Sequence, residues 1–409
     1  MPGPTLTTRQ WLWPMLIGLL VRLAVIPFTY GEWLDPFVLD HWAFGRVARS
    51  LVTGHGYGNT FADTGYSALM PPVYSYCLAA IFRLFGVYTT ASISAAACLN
   101  SLISVLTCVP IGLIALRSFG ERTARWSVWA WALSPYGIYF SADWLWSTSL
   151  VTLLLALLFL YSMRLETETR LLHWLAFGLL GGIAALTEPV VLAVVPMLAL
   201  LSGYRLRRFV PICLAGLAMA AAMSPWIIRN YRVFHRFIPV RDGFGLELYL
   251  GNSGYSARWV NSAVHPNHSD AELAEYEQSG EIAYMAHKQR QALDYIGAHK
   301  GWFVWMTLRR AVYLWTGYWS FDKAYLQQEP LDPPNVFVAV TLSAMAFAGL
   351  WRAFRSAQGA AVRFAWTFLL FPLAYYISHP EAYYFRPLDP YIAILGMYAA
   401  ARWYEARRA

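Results

Sequence analysis

Long apolar runs separated by short polar segments extend along most of the chain. The first run is "WLWPMLIGLLVRLAVIPFTY" at residues 11–30. As a helix, a run of roughly 17–25 apolar residues is long enough to cross the hydrocarbon core of a bilayer. The pattern therefore predicts an all-α, polytopic membrane helix bundle of about 10–11 spans. We place the other spans at 90–116, 124–142, 145–163, 171–187, 189–204, 208–227, 335–351, 363–378 and 388–404.

The composition supports membrane insertion. The 409 residues are 58% hydrophobic and 17% aromatic, and only 13% are charged. A soluble domain needs more charge than this to cover its surface. The first run contains Pro14 and Arg22 and has no small-residue cleavage site after it, so we expect a retained span rather than a signal peptide. The four cysteines lie inside apolar segments, which argues for small core residues and against a disulfide framework: Cys77, Cys98, Cys108 and Cys213.

The formal net charge of +8 comes largely from short basic loops beside the apolar runs. Such a distribution is typical of membrane topology, so we expect no nucleic-acid partner. If the basic loops face the cytoplasm, both termini are inside, and residues 31–89 and 228–334 are outside. The basic segments are 117–125, 164–170, 204–208, 351–363 and the C-terminal "RRA".

Two apolar stretches break this charge rule if they are counted as spans. Residues 71–86 are short and contain Arg83, and residues 301–319 carry Arg309 and Arg310 at their middle. We interpret the first as a juxtamembrane or re-entrant helix and the second as an interfacial amphipathic helix, both on the outer face.

The predicted organisation has three parts. An N-terminal transmembrane module covers 1–227 and includes the first outer loop, 31–89. A mixed outer segment covers 228–334 and includes the interfacial helix, and a C-terminal transmembrane module covers 335–409.

Carboxylates stand at the outer ends of several predicted elements. Asp40 opens a short amphipathic stretch, Asp143 follows the third span, and Glu188 lies in the turn between the fifth and sixth spans. Each is compatible with helix capping. Carboxylates at membrane depth are costly, however, and usually have a partner or a function. A base or a cation site needs carboxylates from separate segments to converge, and Asp40 with Asp143 could provide them.

Arginines also gather on the outer side. Arg229, Arg310 and Arg386 lie close to predicted span ends or in the interfacial helix. Guanidinium groups bind phosphate with paired donors, although contact with lipid headgroups or aromatic stacking would serve equally well. His265 and His268 in "HPNH" have no third ligand nearby in sequence, which favours a solvated loop over a metal site.

Six segments, in this order, resemble the GT-C superfamily of integral membrane glycosyltransferases. They are similar to family 39, which includes protein mannosyltransferases and lipid A aminoarabinose transferases. The match runs over nearly the whole chain. The segments are "LDHWAFGRVARSLVTGHGYG", "ALMPPVYSYCLAAIFRLFG", "SPYGIYFSADWLWSTSL", "SPWIIRNYRVFHRFIPV", "LYLGNSGY" and "YYFRPLDPY".

The resemblance implies site residues. It makes Asp40 the counterpart of the first-loop acidic residue, a proposed general base, and places Asp143 at a second acidic position. It places Arg386 near the donor phosphate, where Arg229 or Arg310 could assist. Magnesium or manganese would bind at Asp40 and Asp143 if the enzyme uses a divalent cation.

The sequence also departs from the family. His41 stands where the family often has a second acidic residue, which puts metal binding at Asp40 in doubt. Glu188 stands where relatives often carry a basic residue. Glu188, His41 and Asn252 are candidates for the acceptor side of the site.

The expected function is transfer of a sugar from a polyprenyl-phosphate-linked donor to a lipid, glycan or protein acceptor, with inversion. The expected location is the inner, cytoplasmic membrane, with the active site on the periplasmic or extracytoplasmic side. A lipid-linked sugar flippase or transporter predicts polar or broken helices near the midplane and an internal repeat of spans. An inactive membrane scaffold predicts that the outer carboxylates do not converge.

Overall fold

The computed structural model describes residues 6–168, 170–203, 209–254 and 258–408, and within these residues the chain is mainly helical. The N-terminal half contains α1 (Thr8–Thr29), α2 (Pro36–His41), α3 (Ala43–Val52), α4 (Pro72–Phe85), α5 (Thr90–Leu106), α6 (Cys108–Phe119), α7 (Glu121–Ala132), α8 (Pro135–Ala142), α9 (Thr148–Leu165), α10 (Leu171–Ala185) and α11 (Val191–Gly203). The C-terminal half contains α12 (Phe209–Phe234), α13 (Phe244–Gly251), α14 (Asp270–Ser279), α15 (Glu281–Ala298), α16 (Lys300–Thr316), α17 (Lys323–Gln328), α18 (Asp332–Arg355), α19 (Ala361–Leu370), α20 (Leu373–Ile377), α21 (Ala382–Phe385) and α22 (Asp389–Ala406). Short 3₁₀ helices cover Glu32–Leu34, Ser262–Val264 and Arg386–Leu388.

The predicted all-α membrane bundle is confirmed. Every predicted span coincides with one helix or with two consecutive helices. Among the described residues, five helices are long and apolar enough to cross a membrane: Thr8–Thr29, Thr90–Phe119, Thr148–Leu165, Phe209–Phe234 and Asp332–Arg355. The predicted basic loop at 204–208, with the span ends that fall in it, lies outside the described residues, as do residue 169 and Ala409.

Arg22 shows how the bundle accommodates a charge within an apolar helix. Its side chain is fully buried, and Nη1 donates to the carbonyl oxygens of Gly18 at 2.9 Å and Ala132 at 2.6 Å. Nε donates to the Ser104 hydroxyl at 3.2 Å. Ionisable side chains inside a membrane helix usually face the bundle interior and find such partners. Arg22 therefore ties α1 to α5 and α7.

Glycine allows two pairs of helices to approach closely. A Cβ at Gly178 in α10 would lie 2.1 Å from the carbonyl oxygen of Ala215 in α12. A Cβ at Gly349 in α18 would lie 2.0 Å from the carbonyl oxygen of Leu395 in α22. Small residues at the contact let backbones meet, which is the usual basis of helix packing in membranes.

A buried carboxylate joins residues 31–89 to residues 228–334, which we call the outer segments after their predicted side of the membrane. Glu281, at the start of α15, accepts hydrogen bonds from the Ser67 hydroxyl at 2.5 Å, the Ala68 amide at 2.6 Å and the Tyr276 hydroxyl at 2.8 Å. Arg229, at the end of α12, donates to the Ser67 carbonyl at 2.9 Å. Because a buried charge must be paired or hydrogen-bonded, these contacts hold the segments in one arrangement.

Local capping partly follows the sequence. At the start of α14 the Ser269 hydroxyl accepts from the Glu272 amide at 3.4 Å, as a capping serine does. In α2 the cap is Asp35, whose carboxylate accepts from the Phe37 amide at 2.8 Å. The capping alternative for Asp40 is therefore wrong, because Asp40 lies inside α2 near its end. The helices predicted to be interfacial correspond to α4 and α16, and their depth in the membrane stays a prediction.

Candidate active site

A polar cavity of about 360 Å³ lies between the two outer segments and the loops at the ends of the spans. We call it the polar cavity. Its walls come from α2 and α3, the loop after α8, the turn between α10 and α11, α13 and the segment between α20 and α21. Charged and imidazole side chains line it: His41, Glu188, Arg241, Glu247, His265, His268, His379 and Glu381. Aromatic lining residues include Phe44, Phe61, Trp144, Trp146, Tyr383 and Tyr384.

An arginine–glutamate pair lies in the wall of this cavity. Arg241 Nη2 donates to Glu247 Oε1 at 2.5 Å, and His379 Nδ1 lies 3.5 Å from Glu247 Oε2. Burial alone would raise the pKa of Glu247, but the charge of Arg241, assisted by His379, lowers that pKa below its ordinary value. The Nε atom of Arg241 is buried without a hydrogen-bond partner among the described residues. Arg241 therefore keeps a donor that a ligand can use.

Glu188 is a second carboxylate whose pKa is affected by the charge of Arg241. Burial raises the pKa of Glu188 to about 7, Arg241 opposes the shift, and Glu247 adds to it. Burial also raises the pKa of Glu381. The cavity thus contains one carboxylate held ionised by its partner and two whose charged forms are disfavoured by burial.

Imidazole rings form another part of the wall. His41 uses both ring nitrogens, with Nδ1 2.6 Å from the Phe37 carbonyl oxygen and Nε2 2.6 Å from the Asn267 carbonyl oxygen. Its ring stacks on His268 at a centroid distance of 5.3 Å. Burial lowers the pKa of His265 to about 4, so this ring is neutral at physiological pH. His41 therefore has a fixed orientation and joins α2 to the second outer segment.

An apolar groove of about 420 Å³ adjoins the polar cavity. The two spaces share Glu188, Arg241, Glu247 and Tyr384. The rest of the groove is mainly apolar and comes from α11, α19, α20 and the residues beside them: Pro189, Val190, Ala193, Phe244, Leu370, Leu373, Ala374, Tyr375 and Ser378. A polar space and an apolar one thus meet at a common wall that contains the Arg241–Glu247 pair.

A third cavity, of about 300 Å³, contains Asp143. It shares His41, Trp144 and Trp146 with the polar cavity. Asp143 is 8% exposed. Burial raises the pKa of Asp143, the Glu32 charge raises it further, and hydrogen bonds from the Tyr139 and Thr29 hydroxyls oppose both effects.

The structure does not bring Asp40, Asp143 and Arg386 into one cavity. The Asp40 side chain is 69% exposed and lies 3.5 Å from Arg46, and it lines neither the polar cavity nor the cavity of Asp143. Arg386 lines a separate cavity of about 370 Å³. It lies 3.4 Å from Asp389 and stacks over the ring of Tyr136 at 4.1 Å.

The other predicted arginines bind the backbone. Arg310 is fully buried, and its guanidinium donates to the carbonyl oxygens of Gly251 and Ile377 and to Asn252 Oδ1. Asn252 in turn donates to the Ile377 carbonyl at 2.9 Å. Arg229 donates to the carbonyls of Tyr57 and Ser67. Arg229 thus joins the two outer segments, whereas Arg310 and Asn252 join the second outer segment to α20.

Sequence reasoning missed Arg241, Glu247, His379 and Glu381. A signal was present, because charged residues cluster in "VRDGFGLE" just after α12 and in "SHPE" just after α20. The segments that carried the family resemblance, "LYLGNSGY" and "YYFRPLDPY", begin one and two residues after Glu247 and Glu381. Glu247 and Glu381 therefore lie just outside the segments that carried the family resemblance.

The described residues do not fit a metal site formed by Asp40 and Asp143. Within the described part of the chain, no three His, Cys, Asp or Glu side chains form a group that could hold a metal ion. Asp40 faces Arg46, and Asp143 lines a cavity that Asp40 does not reach. We therefore derive no step of the reaction through a metal.

Comparison with known proteins supports the fold and the family resemblance. Residues 70–228 match the family described as dolichyl-phosphate-mannose-protein mannosyltransferase. No curated protein matches the chain. The fold is similar to that of ArnT from Cupriavidus metallidurans, solved bound to undecaprenyl phosphate, with a TM-score of 0.55 and 15% identity over 97% of this chain and 61% of that one.

Archaeal oligosaccharyltransferases have a similar fold. AglB from Archaeoglobus fulgidus, solved with an inhibitory peptide and a dolichol-phosphate, matches with a TM-score of 0.56 and 10% identity over 97% of this chain and 50% of that one. The same organism's enzyme tethered to an acceptor peptide matches with a TM-score of 0.59 and 12% identity, over 98% and 50% of the two chains. This chain thus spans about half to three fifths of the length of these proteins. The predicted resemblance to GT-C glycosyltransferases, and with it a multi-pass membrane fold, is confirmed.

Proposed function

We propose that this protein is a membrane glycosyltransferase that takes a sugar from a polyprenyl-phosphate-type donor. The observation that carries the proposal is the wall shared by the polar cavity and the apolar groove at Arg241 and Glu247. A lipid-linked sugar has its parts in the same order, with an apolar chain, then a phosphate, then a polar sugar. Polyprenyl and dolichyl phosphates in ArnT and AglB support a donor of this class.

In this proposal the donor phosphate binds at Arg241. Guanidinium groups bind phosphate oxygens with directed, charge-assisted hydrogen bonds. Arg241 lines both the polar cavity and the apolar groove, whereas Arg229 and Arg310 donate to backbone carbonyls and line neither space. Glu247 fixes the orientation of Arg241 through the 2.5 Å contact. Arg386 remains a second candidate, but it would bind a phosphate in a different cavity.

The proposed reaction is a single displacement that inverts the anomeric carbon. The acceptor oxygen or nitrogen forms a bond to that carbon while the bond to the phosphate oxygen breaks, and the acceptor proton passes to a carboxylate. Arg241 would stabilise the charge that develops on the leaving phosphate. The reaction would take place on the outer face of the cytoplasmic membrane, where the polar cavity lies under the predicted topology.

We assign the general base to Asp40, following the family resemblance. Asp40 is adjacent to His41, which lines both the polar cavity and the cavity of Asp143. The Asp40 side chain is exposed, and Arg46 has a second carboxylate partner in Asp63 at 3.5 Å, so Asp40 can leave Arg46 without leaving a buried charge unpaired. Glu188 is the competing candidate, because it already lines the cavity and its pKa is about 7.

The proposed function is tested with purified protein in lipid nanodiscs. A panel of radiolabelled sugars on undecaprenyl phosphate is supplied together with a lipid and glycan extract from cells that lack the gene. We expect labelled product and an equal amount of free undecaprenyl phosphate to form with at least one donor. Movement of the intact donor across a vesicle membrane without product would support a flippase instead. Neither product nor movement with any donor would contradict the proposal.

A further inference from the structure

The cavity around Asp143 has walls of a different chemistry from the polar cavity. We call it the tryptophan cavity, because Trp33, Trp42, Trp144 and Trp146 line it together with Glu32 and Asp143. Trp33 packs edge to face against Trp42, with centroids 5.2 Å apart, and against Trp144, with centroids 5.8 Å apart. The ring planes cross at 67° and 75°, so the walls present aromatic faces in more than one direction.

The indoles of this cavity are held rigidly. Trp33 Nε1 donates to the carbonyl oxygen of Asp143 at 2.5 Å, and Trp42 Nε1 donates to the carbonyl oxygen of Leu145 at 2.9 Å. Both rings are buried. A binding site needs walls that are already ordered, because ordering them on binding would reduce the affinity.

Two polar atoms of the cavity have no partner. Asp143 Oδ1 and Trp144 Nε1 are buried, and neither has a hydrogen-bond partner within the described part of the chain. Buried polar groups in native proteins are nearly always satisfied, and those that are not call for a ligand, a water molecule or an ion. Asp143 is more than nine-tenths buried and lines the cavity, so its Oδ1 atom marks a position for a hydrogen-bond donor of a ligand.

The charge of the walls determines which hydrogen-bond donor of a ligand can bind in this cavity. The lining has two carboxylates, Glu32 and Asp143, one imidazole, His41, whose two ring nitrogens face backbone carbonyls, and no lysine or arginine among the described residues. Such walls repel a phosphate and attract a cation, and indole faces attract cations further through their quadrupoles. An ammonium group combines the positive charge with the N–H donors that Asp143 can accept.

We propose that the tryptophan cavity binds an ammonium group of the acceptor substrate. The cavity shares His41, Trp144 and Trp146 with the polar cavity, so a molecule held here lies directly beside the space we assign to the donor. The ammonium site follows from the cavity itself, and its assignment to the acceptor rests on the proposed glycosyl transfer. Asp143 then binds and orients the acceptor, while Asp40 or Glu188 removes the proton from the attacking atom.

The experiment uses saturation-transfer NMR on the purified protein in nanodiscs, with ethanolamine as the probe. Ethylene glycol is the neutral comparator and acetate the anionic one. We expect a clear signal for ethanolamine, a signal at least 5-fold weaker for ethylene glycol, and none for acetate. Equal signals for ethanolamine and ethylene glycol would overturn the ammonium assignment, as would displacement of ethanolamine by 1 mM magnesium ion but not by 1 mM tetramethylammonium.

Variants locate the binding. Asp143→Asn keeps the shape of the side chain and should weaken ethanolamine binding about 10-fold, since a charge-assisted hydrogen bond contributes more than a neutral one. Glu32→Gln changes an exposed residue, carries little risk for folding and should weaken binding 2- to 5-fold. Asp294→Asn, on the exposed side of α15, is the matched control and should bind as the wild type does. Unchanged binding in both cavity variants would overturn the proposal.

A further measurement distinguishes the failure of this inference from the failure of the proposed function. Binding of undecaprenyl phosphate is followed on the same samples and should not change in Glu32→Gln. If ethanolamine binds at Asp143 but no donor supports transfer, the ammonium site stands and the glycosyltransferase proposal fails. If transfer occurs without binding of ethanolamine, the proposed function stands and the ammonium site is wrong.

Discussion

Arg241 donates to Glu247 at 2.5 Å in the wall that the polar cavity shares with the apolar groove. The two residues come from the loop after α12 and from α13, and His379, from the far end of the chain, contacts the same carboxylate. His379 therefore connects this pair, and with it the second outer segment, to the C-terminal helices at the point where we propose that the donor headgroup binds.

Glu247→Gln should change how stability depends on pH. The pKa of Glu247 is lowered in the folded protein, so its contribution to stability is present above the ordinary glutamate pKa and is lost as pH falls through the folded value. We expect the melting temperature of the wild type to fall as the pH drops below the ordinary glutamate pKa, and this fall to be smaller in the variant. Differential scanning fluorimetry in detergent measures it. Glu277→Gln, in an exposed position, should follow the wild type.

Glu188→Gln tests a carboxyl pKa that is shifted in the opposite direction, upwards. The pKa of Glu188 is raised to about 7, so stability is present below the ordinary glutamate pKa and is lost as pH rises through 7. The variant should lose less stability than the wild type between pH 5 and 8. The same scanning measurement applies. Parallel curves for the two proteins across this interval would show that the Glu188 carboxyl titrates as it would in water.

Asp40→Asn tests the general base. Asp35, not Asp40, caps α2, so loss of a cap cannot explain a lower rate in this variant. We expect turnover to fall on the order of 10²–10⁴-fold, the usual range for removal of a general base, with donor affinity unchanged. Turnover is measured in the nanodisc assay. If Asp40→Asn keeps most of its turnover while Glu188→Gln loses it, the base is Glu188.

A cysteine at position 278 tests the topology. Gln278 lies on the exposed surface of α14, within the segment that we predict to be outside. In a background in which the four native cysteines are replaced by alanine, Gln278→Cys should react with a membrane-impermeant maleimide in intact cells whose outer barrier has been removed. Labelling only after the cytoplasmic membrane is permeabilised would reverse the predicted orientation.

The helices could be predicted from the sequence because their length and apolar character are local properties. The run at residues 11–30 already indicated α1, even though Arg22 interrupts it. The start of α14 likewise depends on a local contact, between Ser269 and the Glu272 amide. These features depend on neighbours within a few residues, which a single sequence shows directly.

The candidate site was harder to predict because it depends on contacts between distant segments. His379 and Glu247 are 132 positions apart, and no spacing rule joins them. The sequence also does not show which groups an arginine side chain contacts in the folded protein. Arg310 and Arg241 both belong to the segment predicted to be outside, yet the first binds carbonyls in the interior and the second lines the cavity. The two arginines differ in burial and in hydrogen bonding, and the residue type does not show either difference.

The binding of undecaprenyl phosphate to wild type and Arg241→Ala tests the central claim most directly. A hydrogen bond to a charged group contributes about 1.5–3 kcal/mol, so loss of the guanidinium should weaken binding roughly 10- to 100-fold. Arg241→Lys keeps the charge and should be intermediate, and Arg290→Ala, on the exposed face of α15, should bind as the wild type does. Native mass spectrometry of the nanodisc-purified proteins gives the affinities. Wild-type affinity in a folded Arg241→Ala protein would contradict the assignment of the donor phosphate to this cavity.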